Sequence, residues 1–270
     1  MEEKVKNNWW NEDYGFFGGH YHLGDHSREG YNVKKRMNYN QRTQKEIEFI
    51  ISFLNPRPNS SFLDCPCGSG RHSYALAEKG YNVTGVDINL KMLSYQKDYF
   101  KTKESKLKIQ QMDMRNLKFK DMSFDYVINM FISFGFFNDN DNKKVASEFY
   151  RVLNKDGKLL IHLDINYDNI IRGDFNGMQH VSRNCEYNGK SKLLEITERY
   201  NHDTRRLDGE WNLLNGKPEK KEYSLRIYDN EKEFIPLFRE VGFKEVSLFD
   251  AYTKKAVTPD SIDTILIAIK

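Results

Sequence analysis

The chain has 270 residues, room for one large domain or one domain carrying a substantial insertion, and its 39% hydrophobic and 14% aromatic content excludes a disordered polypeptide. Its 42 basic and 39 acidic residues nearly cancel, so charge alone predicts no polyanionic partner. No apolar run approaches the ~20 residues that span a bilayer, and "MEEKVKNNWW" lacks the apolar core of a secretory signal, so neither a spanning helix nor a secretory signal is expected.

Taken in chain order, the elements alternate. "TQKEIEFIISFL", from Thr43 to Leu54, carries Ile47, Ile50, Ile51 and Leu54 at helical spacing and stops before Pro56. "SFLDC" reads as a short buried strand, "GRHSYALAEKG" as a helix ending at Gly80, and "YNVTGVD" as the next strand. The segments "NLKMLSYQKDYFKTK", "KLKIQQMD" and "SFDYVINMF" follow as helix, strand and strand. "NKKVASEFYRVLN" is a helix closed by the turn "KDG", and "KLLIHLDI" is a fifth strand. Such alternation predicts a doubly wound, mostly parallel sheet covered on both faces.

The rhythm changes after Asn166. "LLEITERY" puts Leu194, Ile196, Glu198 and Tyr200 on one side, and "RLDGEWNLL" does the same with Leu207, Gly209, Trp211 and Leu213. With "NHDT" and "NGKP" as separators, residues 167–228 predict an antiparallel insertion after strand five. The helix "EKEFIPLFREVG" and the strands "FKEVSLFD" and "DTILIAIK" then complete a seven-stranded α/β domain over 43–270. Residues 1–42 precede it as an arm rich in aromatics and histidine.

"FLDCPCGSGRHSYALAEKGYNVTGVD", Phe62 to Asp87, carries the chemistry. Gly68 and Gly70 follow a strand and open a helix, where bare N–H groups and the positive dipole end attract polar ligand groups. Asp87 ends the next strand 19 residues after Gly68, where a carboxylate accepts from the hydroxyls of a ribose. The order strand, Gly-x-Gly, helix, strand, Asp predicts an adenosine-containing ligand across the strand ends. Ser73 is small enough to leave a dinucleotide open. Asp113, ending the third strand, can accept from an adenine amino group, and "NMFISFGFF" supplies an apolar strand end for a cofactor's reactive tail.

On these motifs, with "DMR" after the third strand and "YSLRIYDNEKEFIPLFREVGF" after the insertion, the chain resembles a class I S-adenosylmethionine-dependent methyltransferase of the small-molecule branch, from Arg42 to Lys270. The resemblance implies a Rossmann-like methyltransferase fold and S-adenosylmethionine as cofactor. It implies that Asp64, Gly68 and Gly70, with Cys65, Pro66 and Ser69 in the same turn, surround the cofactor's amino acid end. Asp87 and Ile88 would hold the ribose, Asp113 and Met114 the adenine with Met92 nearby, and Asn129, Met130 and Phe131 the methionine side. Pro66 departs from the pattern, since it stands at a usual glycine and removes one N–H donor.

Cys65 and Cys67 invite a metal reading, but a zinc site needs four ligands and this loop is committed to a cofactor. Cys67 reads as a small hydrophobe beneath the turn. No metal is expected, and an odd count of three cysteines predicts a reducing cytoplasm. "WWNEDYGFFGGHYHLGDHSREGY" reads as a flap over an acceptor pocket, with His20 as catalytic candidate and Tyr21 and Tyr31 as substrate contacts; a surface arm is the alternative. Asp164, ending the fifth strand, is a candidate base or a cap for the turn at Asn166. Phe134 and Trp211 are candidate pocket walls, His162 reads as a satisfied core histidine, and His72 as a brace for the loop.

The function expected is methyl transfer to N or O of a small molecule by direct displacement in a closed pocket. RNA or protein methylation, or cofactor binding without catalysis, are the alternatives. Between Glu186 and Arg226 nine basic and eight acidic residues leave no basic stripe, so no nucleic acid partner is expected. A monomer or a homodimer fits the chain equally.

Overall fold

A computed structural model describes residues 9–11, 15–19, 39–94, 106–163, 165–173, 179–187, 190–214, 219–261 and 263–270. The chain divides into two compact units, one of Met1–Arg42 with Asn169–Ile227 and the other of Thr43–Asp168 with Tyr228–Lys270.

In the larger unit the strands are β1 (Ser61–Asp64), β2 (Asn82–Asp87), β3 (Leu107–Gln111), β4 (Phe124–Asn129), β5 (Leu153–Leu163), β10 (Glu245–Asp250) and β11 (Thr264–Ile269). They lie in the order β10-β11-β5-β4-β1-β2-β3. β11 runs antiparallel to both β5 and β10, and the remaining pairs are parallel. The chain moves outward from β1 to β2 and β3, then returns to place β4 on β1's other side. That reversal opens a crevice at the carboxyl ends of β1 and β4.

Helix α2 (Tyr39–Leu54) and α3 (Arg71–Glu78) cover one face of this sheet. Ile47, Ile50 and Leu54 of α2 and Ala75 and Leu76 of α3 pack with Phe62, Val83, Ile128, Leu160 and Ile265 of the strands. The run of α2 down this face brings Leu54 to the start of β5, where its carbonyl accepts from Lys158 Nζ at 3.1 Å. Its first turns therefore stand at the other end, beside the crevice. Helix α4 (Leu90–Ser94) links β2 towards β3, and α5 (Asp139–Val152) links β4 to β5. Asn138 caps α5 by accepting from the Asp141 amide at 2.8 Å. The "KDG" segment belongs to β5, which begins directly after α5 at Leu153; Asp156 takes a left-handed φ of 60° to turn the strand's start.

The smaller unit holds an antiparallel sheet of β6 (Gln179–Tyr187), β7 (Lys190–Asn201), β8 (Arg206–Leu214) and β9 (Glu219–Arg226) in sequential order. Along β8 burial alternates, with Leu207, Gly209, Trp211 and Leu213 buried. Phe16 of the short α1 (Phe16–Gly19) meets the Trp211 ring at 5.0 Å and the Tyr223 ring at 4.6 Å. Helix α6 (Tyr167–Arg172) precedes the insertion, and α7 (Ile235–Val241) follows it and leads to β10 and β11. α7 is preceded by one π-helical turn, Asn230–Phe234, whose N-cap Asp229 accepts from the amides of Glu231 and Lys232. Among the described residues no helix is long and apolar enough to cross a membrane.

Candidate active site at the strand ends

Past β1 the backbone stays tied to both neighbouring strands. The Cys65 amide donates to Ile128 O at 2.9 Å and the Cys67 amide to Val86 O at 2.8 Å. The turn then closes through Gly70 N to Cys67 O at 2.8 Å, with left-handed φ of 54° at Gly68 and 77° at Gly70. Those conformations are open to glycine and strained for other residues, so both glycines are required by geometry. Gly70 leads directly into α3, whose first turn faces the crevice.

Asp87, at the end of β2, fastens this turn. Its Oδ2 accepts from the Gly68 amide at 2.8 Å and its Oδ1 from the Asn89 amide at 2.9 Å. Burial pushes its pKa up to about 6, opposed by the backbone donors of Asn89, Gly68 and Ile88. A carboxylate has about four lone-pair sites, so these amides leave room for further donors. At β1's end Asp64 is fully buried, and its Oδ2 accepts from Ser73 Oγ at 2.6 Å. Burial pushes Asp64 up to about 7, against the Ser73 bond and the Arg71 charge.

Across the switch point, Asn129 at the end of β4 donates from Nδ2 to Cys65 O at 2.8 Å. Both Asp64 Oδ1 and Asn129 Oδ1 are buried without a hydrogen-bond partner. Two orphan acceptors at neighbouring strand ends are costly unless a donor-bearing ligand completes them. The cationic ammonium of an amino acid, as carried by S-adenosylmethionine, supplies such donors, and the lone pairs left on Asp87 suit ribose hydroxyls. The residues present therefore fit that cofactor.

Behind the crevice lies a second polar layer between α2 and α3. Glu46 Oε2 accepts from Arg71 Nη1 and pairs with His72 Nε2 at 2.7 Å, while Arg71 Nη1 also reaches Thr43 Oγ1 at 3.1 Å. Burial, with the Arg71 charge beside it, drives the His72 pKa down to about 4, so its imidazole is neutral at pH 7. The expected brace at His72 thus works by tying the glycine turn's helix to α2.

Residues 62–157 match the methyltransferase-domain family model. The chain is 29% identical over 216 residues to the glycine/sarcosine N-methyltransferase of Aphanothece halophytica, covering 79% of this chain and 77% of that one. An S-adenosylmethionine-dependent methyltransferase from Clostridium acetobutylicum superposes with a TM-score of 0.66 at 18% identity, over 88% of this chain and 94% of the other. The sugar N-methyltransferase KedS8 from Streptoalloteichus gives 0.67 at 17% identity, over 90% and 94%. The chain is a class I S-adenosylmethionine-dependent methyltransferase.

In this methyltransferase the residues expected at the cofactor gather at one end of the sheet, on the turn after β1, the ends of β2 and β4 and the loop after β3. Met92, Met114 and Met130 are buried there. Asp113 is found in a fork with Arg115, whose Nε lies 3.1 Å from both carboxylate oxygens and whose Nη2 lies 2.7 Å from Oδ2. The fork holds the carboxylate rigidly. Cys65 and Cys67 are buried thiols whose pKa values burial pushes well above the usual range. Among the described residues no group of three His, Cys, Asp or Glu side chains is arranged to hold a metal.

Two residues expected as pocket walls are buried in the structure. Phe134 is fully buried in an aromatic cluster with Phe234 at 5.8 Å and Phe238 at 5.4 Å. Trp211 is 2% exposed and packs on Phe16 inside the smaller unit. Both are buried within their own units. His20, Tyr21, Tyr31 and Asp164 lie outside the described residues.

The sequence reading passed over Glu46, although it stands four residues before Ile50 on the helix's buried stripe, where a carboxylate demands a partner. It also took His162 for a satisfied core histidine. His162 is fully buried, yet neither ring nitrogen has a hydrogen-bond partner. Phe131 and Ile132, in the loop after β4, have left-handed φ of 65° and 51°. Such non-glycine strain, worst for the β-branched Ile132, costs about 1–3 kcal/mol per residue and concentrates at functional sites.

Proposed function

We propose that this methyltransferase acts on a nitrogen of a small-molecule amine, with S-adenosylmethionine lying across the ends of β1, β2 and β4. The observation that carries the cofactor's placement is the pair of orphan acceptors, Asp64 Oδ1 and Asn129 Oδ1, flanking the switch point. On this reading they receive the cofactor's ammonium, beside the turn of Cys65, Pro66, Gly68, Ser69 and Gly70. Asp87 and the Ile88 backbone hold the ribose, while Asp113, Met114 and Met92 surround the adenine. Met130 and Phe131 line the methionine side.

Bound S-adenosylmethionine supplies a methyl group on a sulfonium, an intrinsically good leaving group. What the chain must add is alignment of the acceptor, exclusion of water and removal of a proton from a protonated amine. Alignment alone is worth up to about 7–11 kcal/mol. The choice of nitrogen rests on the similarity to glycine/sarcosine N-methyltransferases, because more than half of the 216 aligned residues fall outside residues 62–157. That similarity therefore reaches beyond the matched methyltransferase domain.

Incubation with methyl-labelled S-adenosylmethionine tests this directly, using glycine, sarcosine and fractionated metabolite, RNA and protein pools. Label is expected on an amine in the small-molecule fractions. Label confined to RNA or protein would overturn the acceptor class. Thermal stabilisation by NAD without any by S-adenosylhomocysteine would overturn the cofactor site.

A further inference from the structure

His162 occupies the second-last position of β5, on the same sheet face as Leu160 and so on the side covered by α2. Its exposure is 0%, and Nδ1 and Nε2 both lack hydrogen-bond partners. An imidazole always has at least one donor and one acceptor or two donors to satisfy, so a buried ring with neither engaged is expensive. Packing does not explain it, since a leucine or phenylalanine would fill the space without that cost. The ring is also not isolated from charge. Nε2 stands 3.7 Å from Asp263 Oδ2, and that same oxygen accepts from Tyr252 Oη at 2.6 Å. Tyr252 is 39% exposed, so the row Tyr252, Asp263, His162 runs from solvent to the buried ring.

On the crevice side the ring meets the loop after β4. Phe131 lies 6.4 Å from it, ring to ring, and the Ile132 amide donates to the His162 carbonyl at 3.0 Å. These are the two residues held at left-handed φ. An acceptor reaching His162 from this side would displace them, and stored strain lowers the cost of doing so. The other charged groups around the ring come from α2 and α3. Glu46, Arg71 and His72 are already tied to one another, with the Arg71 guanidinium over the Phe131 ring at 5.7 Å, and a proton on His162 is felt at His72.

We propose that His162 is the general base that takes the proton from the acceptor nitrogen, with Asp263 and Tyr252 as positioning residues behind it. The inference rests on the amine-acceptor reading above. Nε2 carries its hydrogen toward Asp263 Oδ2, which leaves the Nδ1 lone pair as the acceptor of the proton. The 3.7 Å gap is too long for a hydrogen bond and closes when ligands order the site, as such bonds commonly do. In the step, an N–H bond of the acceptor's ammonium breaks and its electron pair stays on nitrogen; that lone pair would then bond the methyl carbon as the methyl–sulfur bond breaks and its pair goes to sulfur, leaving the neutral thioether. The proton forms a new N–H bond at Nδ1, Asp263 stabilises the resulting imidazolium, and the proton later leaves to solvent on the Tyr252 side. No oxidant, reductant or metal is needed.

The first test needs no acceptor. Nitrogen-15 histidine spectra of the complex with S-adenosylhomocysteine should show His162, assigned by its loss in His162→Gln, with its hydrogen on Nε2 and with Nδ1 unprotonated. In Asp263→Asn that tautomer preference should weaken, because the carboxylate facing Nε2 is gone. A His162 ring that carries its hydrogen on Nδ1 would overturn the inference. The second test uses glycine and sarcosine as probes. His162→Gln should lower kcat by about 10²-fold or more, with little change in the KM for S-adenosylmethionine or in melting temperature. Asp263→Asn should lower kcat by about 10-fold with the KM for S-adenosylmethionine unchanged, and Tyr252→Phe should lower kcat by less. A His162→Gln enzyme with wild-type kcat also overturns the inference. If the wild type labels no small molecule at all, the acceptor reading fails by itself, and the spectra still decide the role of His162.

Discussion

Replacing Asp87 by asparagine separates two things its carboxylate does at once. In the folded chain each oxygen accepts one backbone amide, from Gly68 at 2.8 Å and Asn89 at 2.9 Å, and the side chain is 8% exposed. Burial raises its pKa from 3.8 to about 6 despite those bonds. Keeping it ionised at pH 7.5 therefore costs about 3 kcal/mol relative to an exposed carboxylate. The sign follows from linkage: a carboxyl with a raised folded pKa binds its proton better in the native state, so this group lowers stability as pH climbs from about 4 to 6. Asparagine removes that cost but can accept only one of the two amides, and losing a hydrogen bond to a charged group costs about 1.5–3 kcal/mol. The two changes nearly cancel, and the melting temperature should move by only a few degrees.

Cofactor affinity should respond differently. A carboxylate offers acceptors to both ribose hydroxyls, whereas an amide offers one oxygen, so the Kd for S-adenosylhomocysteine should weaken by about 10- to 100-fold at pH 7.5. Titration calorimetry beside thermal melts reads both quantities. As pH falls below about 6, protonation does to Asp87 what the amide does, and the wild type should approach the variant. Unchanged affinity in Asp87→Asn would refute the ribose assignment. Affinity and stability falling together by several kcal/mol would show Asp87 to be only a clamp for the glycine turn.

Three further outcomes are expected. Calorimetry should show cofactor affinity rising between about pH 6 and 7.5, and Asp64→Asn should flatten that rise, because the proton displaced when an ammonium pairs with Asp64, pushed up to about 7, is no longer there to lose. Maleimide should label the partly exposed Cys185 in the native protein well before the buried Cys65 and Cys67, and Cys65→Ser with Cys67→Ser should retain cofactor binding; equal labelling rates by mass spectrometry would contradict the burial argument. Gly209→Ala sets a Cβ into the Tyr223 ring and should open the four-stranded sheet, read as faster proteolysis between β6 and β9; an unchanged cleavage pattern would show that the ring can step aside.

The fold was largely legible because its signals are local. Apolar periodicity located α2 and β1 to β5, and the two-residue period of "RLDGEWNLL" gave the antiparallel sheet its strands. What failed locally has a tertiary cause. "KDG" has turn composition, yet it lies in β5 because Gly157 packs tightly against the Asp125 backbone, leaving no room for a separate loop. The first turn of "EKEFIPLFREVG" is π-helical, since Asp229 caps it while Phe234 must reach the cluster of Phe134 and Phe238. The grouping of residues 1–42 with the insertion as one compact unit has no local signature, because it depends on contacts between segments more than a hundred residues apart.

Site residues divide along the same line. Asp64, Gly68, Gly70 and Asp87 belong to one strand–turn–helix–strand unit, so their spacing alone brings them together. Glu46, His162, Asp263 and Tyr252 come from four separate segments, and composition gives no hint that they share one sheet face. For His162 the mistake was one of prior. A histidine between Ile161 and Leu163 in a buried strand is usually satisfied, and only the three-dimensional surroundings reveal that this ring has no partner. That distinction matters physically. A satisfied histidine is locked in one tautomer by its hydrogen bonds and resists taking a proton, whereas an unsatisfied one 3.7 Å from a carboxylate gains a partner by becoming charged. The same lack of bonds that makes His162 costly in the ligand-free fold is what leaves its lone pair free to receive a proton.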